Sequence, residues 1–350
     1  MGLAARTVLA ILVAVSVVPA FAETGPAAAA NACQAPSAPL PEAQRKFHPG
    51  HYVAVGRGVA RKGLDEFVTK GLVGVQLRYR WAELEPNEDQ YDFSQVQRDL
   101  AEARKAGLQL VVMIEDKSFK DQVPVPDYLQ AKSARNRIQG FTAFRWDPYV
   151  TERLNLLVSK LGAAVDCDPN FEGVAFQESS PSLEEDQRES SGYSPEKYRD
   201  ALISLLKSAS SSMPRSRVFW YMNFLPGGQR YIADIASAVI GKGIVMGGPD
   251  ILPDNRALAQ RVYPFYDQFQ GRLKLFGSMQ HNSYRHPHGG GKPGAGGGSS
   301  YWSMEDLFAF ARDHLHVDYI FWDYQQRRMP PDAHDFDDAR AVIASHPVFR

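Results

Sequence analysis

The chain has only two cysteines, Cys33 and Cys167, in 350 residues. That is too few for a disulfide-stapled scaffold; it leaves either one pair that an oxidising compartment would join or two isolated thiols. An excess of charge is also missing: 39 Lys and Arg against 40 Asp and Glu give a formal net charge of −1. Without a basic field, the phosphate attraction behind non-specific nucleic-acid affinity is absent, so no nucleic-acid partner is expected. Beyond the first 22 residues no apolar run is long enough to span a bilayer. No Gly-x-Gly-x-x-Gly turn follows the first β-rich stretch, which removes the usual dinucleotide site, and no cofactor is implied.

What is present is an ordinary globular composition, 44% hydrophobic and 23% charged, with material for one large core. Residues 1–22 divide into a short segment with Arg6, an apolar run over 8–18, and Ala20-Phe21-Ala22, a small-x-small cleavage pattern. This reads as a signal peptide, and the mature protein is expected to be periplasmic or secreted, with no membrane span after cleavage. Residues 23–46 are rich in Ala and Pro without apolar periodicity, which reads as a flexible arm. The folded domain is expected over 47–350.

Within it, β-rich runs alternate with helical patterns. The strands are expected at 51–56, 73–81, 109–116, 171–179, 217–223, 243–250, 273–282 and 319–325. Helical periodicity falls between them, at 64–70, 93–106, 147–161, 195–212, 231–240, 256–269 and 304–314, and again from Asp335. Eight strands alternating with helices predict the α/β class, as a single-domain (β/α)8 TIM barrel. In the second helix, Asp92 and Gln95 are expected to cap the start. Val96, Leu100 and Ala103 repeat along one face, and Gly107 stops the turn. The run Leu110-Val111-Val112-Met113-Ile114 is apolar on both faces, as a strand covered by barrel interior and by helices must be.

In such a barrel the reacting groups come from the C-terminal ends of the strands. Polar residues there are Arg78, Arg80, Trp81 and Glu83 after the second strand, and Glu115 and Asp116 after the third. Gln177 and Glu178 close the fourth, Asn223 the fifth, Asp250 the sixth, Gln280, His281 and Asn282 the seventh, and Asp323 the eighth. Carboxylates among arginines, amides and tryptophans suit a sugar: acids protonate a leaving oxygen, carboxylates meet oxocarbenium charge, and flat rings cover pyranose C–H faces. Trp81, Trp302 and Trp322 are candidates for those rings, with core packing as the alternative for each.

The stretch Arg80-Trp81-Ala82-Glu83-Leu84-Glu85-Pro86, then Tyr91-Asp92-Phe93 and Lys105-Ala106-Gly107-Leu108, carries a family likeness. It resembles the second β/α unit of the large clan of retaining glycoside hydrolases that includes β-galactosidases and cellulases. The resemblance implies hydrolysis of O-glycosidic bonds in a poly- or oligosaccharide by carboxylate acid/base catalysis. It also implies that a Glu at the end of the fourth strand is the general acid/base, and Val174-Ala175-Phe176-Gln177-Glu178 fits, with Gln177 in place of the usual Asn. The clan's second Glu, at the end of the seventh strand, has no counterpart in Ser278-Met279-Gln280-His281-Asn282. The remaining carboxylates are Asp250 and Asp323, as base or nucleophile. Arg78, Arg80, Trp81, Gln177, Asn223, Gln280, His281, Asn282 and Trp322 are the expected substrate-binding residues. The alternative is a catalytically inactive barrel that binds polysaccharide.

No metal site is expected. His281, His286 and His288 match no zinc spacing, and His48-Pro49-Gly50-His51 leads into the first strand, at the wrong end of a barrel. The glycine-rich loop 286–300 reads as a lid or as a plain insertion, and the acidic run 184–189 as a solvated loop. The oligomeric state has no signature in the sequence.

Overall fold

The computed structural model describes residues 1–2, 40–56, 63–120, 122–289 and 301–348. The expected signal peptide, nearly all of the arm, Cys33 and residues 290–300 therefore lie outside the described residues.

Strands β1 (Gly50–Val55), β2 (Leu72–Arg80), β3 (Gln109–Glu115), β4 (Phe171–Phe176), β5 (Arg217–Tyr221), β6 (Ile244–Gly248), β7 (Lys274–Met279) and β8 (Tyr319–Asp323) pair in order. Every pairing is parallel, and β8 returns to β1, so the sheet closes into an eight-stranded barrel with helices around it. The (β/α)8 fold expected from the alternation is the fold observed.

Period-two alternation sorts each strand into two layers. Tyr52, Ala54, Val111, Met113, Ala175, Phe219, Tyr221, Val245, Phe276, Tyr319 and Phe321 fill the barrel. Their rings interlock edge to face, as in Phe219–Tyr319 at 5.1 Å and Tyr221–Phe276 at 4.5 Å between centroids. The alternate residues, among them Val53, Leu77, Val112, Val174, Trp220 and Trp322, join the helices in a second, larger core.

The helix Ser94–Ala106 buries Val96, Leu100 and Ala103 as their spacing dictates. Burying side chains such as Val96 and Leu100 is worth roughly 1.5–3 kcal/mol each. It stops at Gly107, which takes φ 69° and donates back to Ala103 and Arg104. Its N-cap is Phe93; Asp92 instead turns the chain by accepting from Ser94 N at 2.8 Å. Some expected helices are shorter or broken. The segment 256–269 breaks into Arg256–Arg261 and Pro264–Phe269, because Pro264 has no N–H to donate to the preceding turn. Among the described residues between β1 and β2 only a 3-10 turn, Leu64–Phe67, forms, where Val68, Thr69 and Gly71 follow. The acidic run carries a short exposed helix, Glu185–Ser190, closed by a capping box from Glu184.

The folded body begins before Phe47. Arg45 is buried and its guanidinium donates to the carbonyls of Met213 (3.0 Å), Ser216 (3.1 Å) and Ser210 (3.2 Å). Lys46 donates to the carbonyls of Asp166 and Asp168. This docking works through hydrogen bonds rather than apolar surface, so hydrophobic periodicity gives no sign of it. Cys167 is disulfide-bonded.

Below the aromatic core, Glu172 is fully buried. Burial pushes its carboxyl pKa up, but His48 Nδ1 (2.6 Å), His48 N (3.0 Å) and Tyr319 OH (2.6 Å) outweigh that, and the net direction is down. His48 is raised, first by its bond to Glu172. A lowered carboxyl stabilises the fold above its unfolded pKa and loses that contribution as pH falls through the folded one. A raised histidine acts oppositely, its contribution being complete below its unfolded pKa and lost as pH rises through the folded one. Melting temperature should therefore fall from mildly acidic to strongly acidic pH, and more gently from mildly acidic to alkaline pH. Glu172→Gln should cost about 1–3 kcal/mol near neutrality and flatten the acid limb. Thermal melts of both proteins across pH check this, and parallel curves would refute it.

Candidate functional site

At the C-terminal mouth, the inward positions turn polar where the interior below is aromatic. Gln76 and Arg78 on β2, Glu115 on β3, Gln177 after β4, Tyr221 on β5, Ser278 on β7 and Asp323 on β8 follow the inward register. Gln76 Nε2 donates to Tyr221 OH at 2.9 Å, and Gln177 Nε2 to Glu115 Oε1 at 3.3 Å. Arg78 lies 3.7 Å from the same Glu115 oxygen.

Glu178 follows this layer. Its Oε1 accepts from Lys117 Nζ at 2.6 Å and its Oε2 from Asn223 Nδ2. Asn223 is oriented by its own neighbours: its Oδ1 accepts from Phe224 N (2.8 Å), and its N–H donates to Ser179 Oγ (2.7 Å). Beneath, Arg145 grips the turn. It meets Asp116 through two bonds of 2.5 Å and donates to Gln177 O at 3.0 Å and Glu178 O at 3.4 Å. Asp116 is thereby committed to Arg145.

Asp250 stands two residues past the end of β6 and is half-buried. Burial first, and the Glu178 charge second, push its pKa up to about 7. Among the described residues its carboxyl accepts no hydrogen bond. Asp323 sits apart. Burial raises it, while Arg78 and His281 pull it down, and Glu178 is not among its influences. His281 Nδ1 lies 3.2 Å from Gln325 Oε1, and Asn282 Oδ1 accepts from Arg285 at 3.2 Å. Glu178 is thus held by Lys117 and Asn223 and its charge reaches Asp250, while Arg78, paired with Glu115, and His281 act on Asp323.

Some expected members fall elsewhere. Trp81 and Trp322 do not line the mouth: both are fully buried in the layer between strands and helices. Trp81 Nε1 donates to Glu85 Oε2 (2.8 Å) and Trp322 Nε1 to His51 Nδ1 (3.0 Å). Trp322 alternates outward between the inward Phe321 and Asp323, and Trp81 opens the helical turn Trp81–Leu84. Neither is a sugar platform. Trp302 is half-buried, stacked on His288 at 4.5 Å and bonded to Asp254. Arg80 pairs with Glu83 at 2.9 Å within its own capping box, and Gln280 is half-buried just past β7. The sequence reading missed Lys117, Arg145 and Tyr221. Lys117 was legible as the residue after Glu115-Asp116 at a strand end; Arg145 comes from a long loop, and only the folded chain brings it under β4.

No family model and no curated protein sequence matches the chain. Solved structures do match in shape. The catalytic domain of a beta-amylase from Paenibacillus polymyxa is 9% identical with a TM-score of 0.57, covering 85% of this chain and 98% of that one. A beta-galactosidase from the haloarchaeon Halorubrum lacusprofundi is 11% identical, TM-score 0.56, over 85% of this chain and 57% of that one. Endo-glycoceramidase II from Rhodococcus sp. is 10% identical, TM-score 0.51, over 83% and 77%. In fold, this chain is a (β/α)8 barrel similar to those of glycoside hydrolases, at an identity that makes any relationship remote.

Proposed function

We propose that the protein is an exported glycoside hydrolase that cleaves O-glycosidic bonds of a poly- or oligosaccharide, using the carboxyl groups of Glu178 and Asp250. The observation that carries this reading is the placement of the two carboxyl groups just past the ends of β4 and β6 at the C-terminal mouth, where burial first and the Glu178 charge second raise Asp250. A carboxyl raised by its surroundings beside a second carboxylate is a usual basis of acid/base division of labour. The likeness in fold to glycoside hydrolases supports the same reading. Arg78, Asn223, Gln177, Gln280, His281 and Asn282 line or border the mouth as polar contacts for sugar hydroxyls, and Asp323 belongs with Arg78 on the opposite side of this set.

A second reading, a barrel that binds polysaccharide without cleaving it, is favoured by the absence of a carboxylate at the end of β7, where Ser278, Gln280, His281 and Asn282 stand. Reducing-end release from a panel of plant and bacterial polysaccharides, measured beside equilibrium binding to the same glycans, separates the two. Release of reducing ends from at least one glycan is expected. Binding without release would establish the second reading, and neither would end both.

A further inference from the structure

Lys117 places a cation against one member of the proposed acid pair, Glu178. Its side chain is 2% exposed, and its ammonium meets Glu178 Oε1 at 2.6 Å, Ser180 O at 2.7 Å and Ser182 Oγ at 3.1 Å. An ammonium has three hydrogens, and each has an acceptor here. Burial draws its pKa down, with the Glu178 charge opposing. A lone pair free for attack would require breaking that whole set, so Lys117 is not placed as a nucleophile.

The consequence falls on Glu178. With Lys117 Nζ at one oxygen and Asn223 Nδ2 at the other, both carboxyl oxygens face donors. Asn223 cannot present its oxygen instead without giving up the bond from Phe224 N. A carboxyl so surrounded is arranged to accept; a proton on either oxygen would point at another donor. Asp250 is in the contrary position: half-buried, crowded by protein, and with no donor at its carboxyl among the described residues.

We propose that Asp250 is the proton donor of this site, and that Lys117 is a positioning residue holding Glu178 as the anionic partner. This rests on the hydrolase reading, and it exchanges the roles that the resemblance to the glycoside-hydrolase clan implies for the Glu after β4. Asp250 gives its proton to the leaving oxygen as the C1–O bond breaks, and the bonding pair departs with that oxygen. Water bonds to C1 and its surplus proton passes to Glu178. Turnover leaves Asp250 ionised and Glu178 protonated, and exchange with solvent resets both. Direct attack of Glu178 on C1, followed by hydrolysis of the ester with the ionised Asp250 taking the proton of the attacking water, keeps the same donor but gives the opposite anomer of the released sugar.

The test uses the full-length protein with methyl and dinitrophenyl glycosides of the common pyranoses. A methyl leaving group needs a proton, whereas a dinitrophenolate leaves without one. Asp250→Asn should therefore lose on the order of 10² or more in kcat/KM on methyl glycosides and less than about tenfold on dinitrophenyl glycosides. Glu178→Gln should lose heavily on both. Lys117→Met should move the acid limb of the pH–rate profile upward, because the carboxylate loses the ammonium at its Oε1. Carbon-13 NMR of labelled aspartate should show one carboxyl titrating near 7 that disappears in Asp250→Asn. Leaving-group sensitivity in Glu178→Gln instead of Asp250→Asn, or an unmoved acid limb in Lys117→Met, overturns the proposal and leaves the hydrolase reading standing. A wild-type protein that cleaves no glycoside overturns the hydrolase reading and the donor role with it, whatever the NMR titration shows.

Discussion

Glu178→Gln is expected to lower turnover of any glycan the protein cleaves by a factor on the order of 10² to 10⁴. The substitution keeps the shape of the side chain and removes its charge. It also replaces two acceptor oxygens by one acceptor and one donor, between the donors Lys117 Nζ and Asn223 Nδ2. One of those contacts must become donor against donor, so the amide is held less firmly than the carboxylate. Glycan affinity should change less than turnover, since substrate hydroxyls have other polar partners around the mouth. Steady-state kinetics beside equilibrium binding reads the split. Undiminished turnover of a natural glycan would remove Glu178 from the chemistry and turn attention to Asp250 and Asp323.

The largest effect on stability should come from Arg145→Met. Arg145 and Asp116 are both nearly excluded from solvent and meet through two parallel bonds of 2.5 Å. Taking away one partner of a buried ion pair costs about 3–5 kcal/mol, because the remaining charge stays buried without compensation. For a domain of this size that is a fall in melting temperature on the order of 10 °C. The double variant Asp116→Asn/Arg145→Met removes the stranded charge and should recover part of the loss. Activity should not recover with it, since Arg145 also holds the carbonyls of Gln177 and Glu178. Thermal melts of the two variants decide the point; a single variant melting within about 2 °C of the wild type would show that Asp116 finds another partner or a proton.

The barrel was legible because its determinants are local and repeated. Runs such as Leu110-Val111-Val112-Met113-Ile114, apolar on both faces, belong to strands buried on both sides, and eight of them separated by helical spacing leave few architectures open. The candidate carboxylates were legible for a related reason: once strand ends are known, the rule that chemistry collects there selects Glu178, Asp250 and Asp323. The tryptophans misled for want of direction. Trp322 stands at a strand end, but alternation points it outward, and a shift of one position separates a sugar platform from helix packing.

By itself, then, the sequence determined the order of strands and helices, the face on which polar groups gather, and the likeness of its second β/α unit to sugar-cleaving barrels. Hydrophobic period and chain order suffice for these, and both are written residue by residue. Only the tertiary structure decided which carboxylates feel one another, that Asp116 is spoken for by Arg145, and that Lys117 stands against Glu178. Lys117 and Glu178 come from different β/α units, 61 positions apart, and Asp116 and Arg145 from opposite ends of one long loop, 29 positions apart. Such pairings depend on ångström distances and on burial that strengthens each charge, and neither quantity exists until the barrel closes.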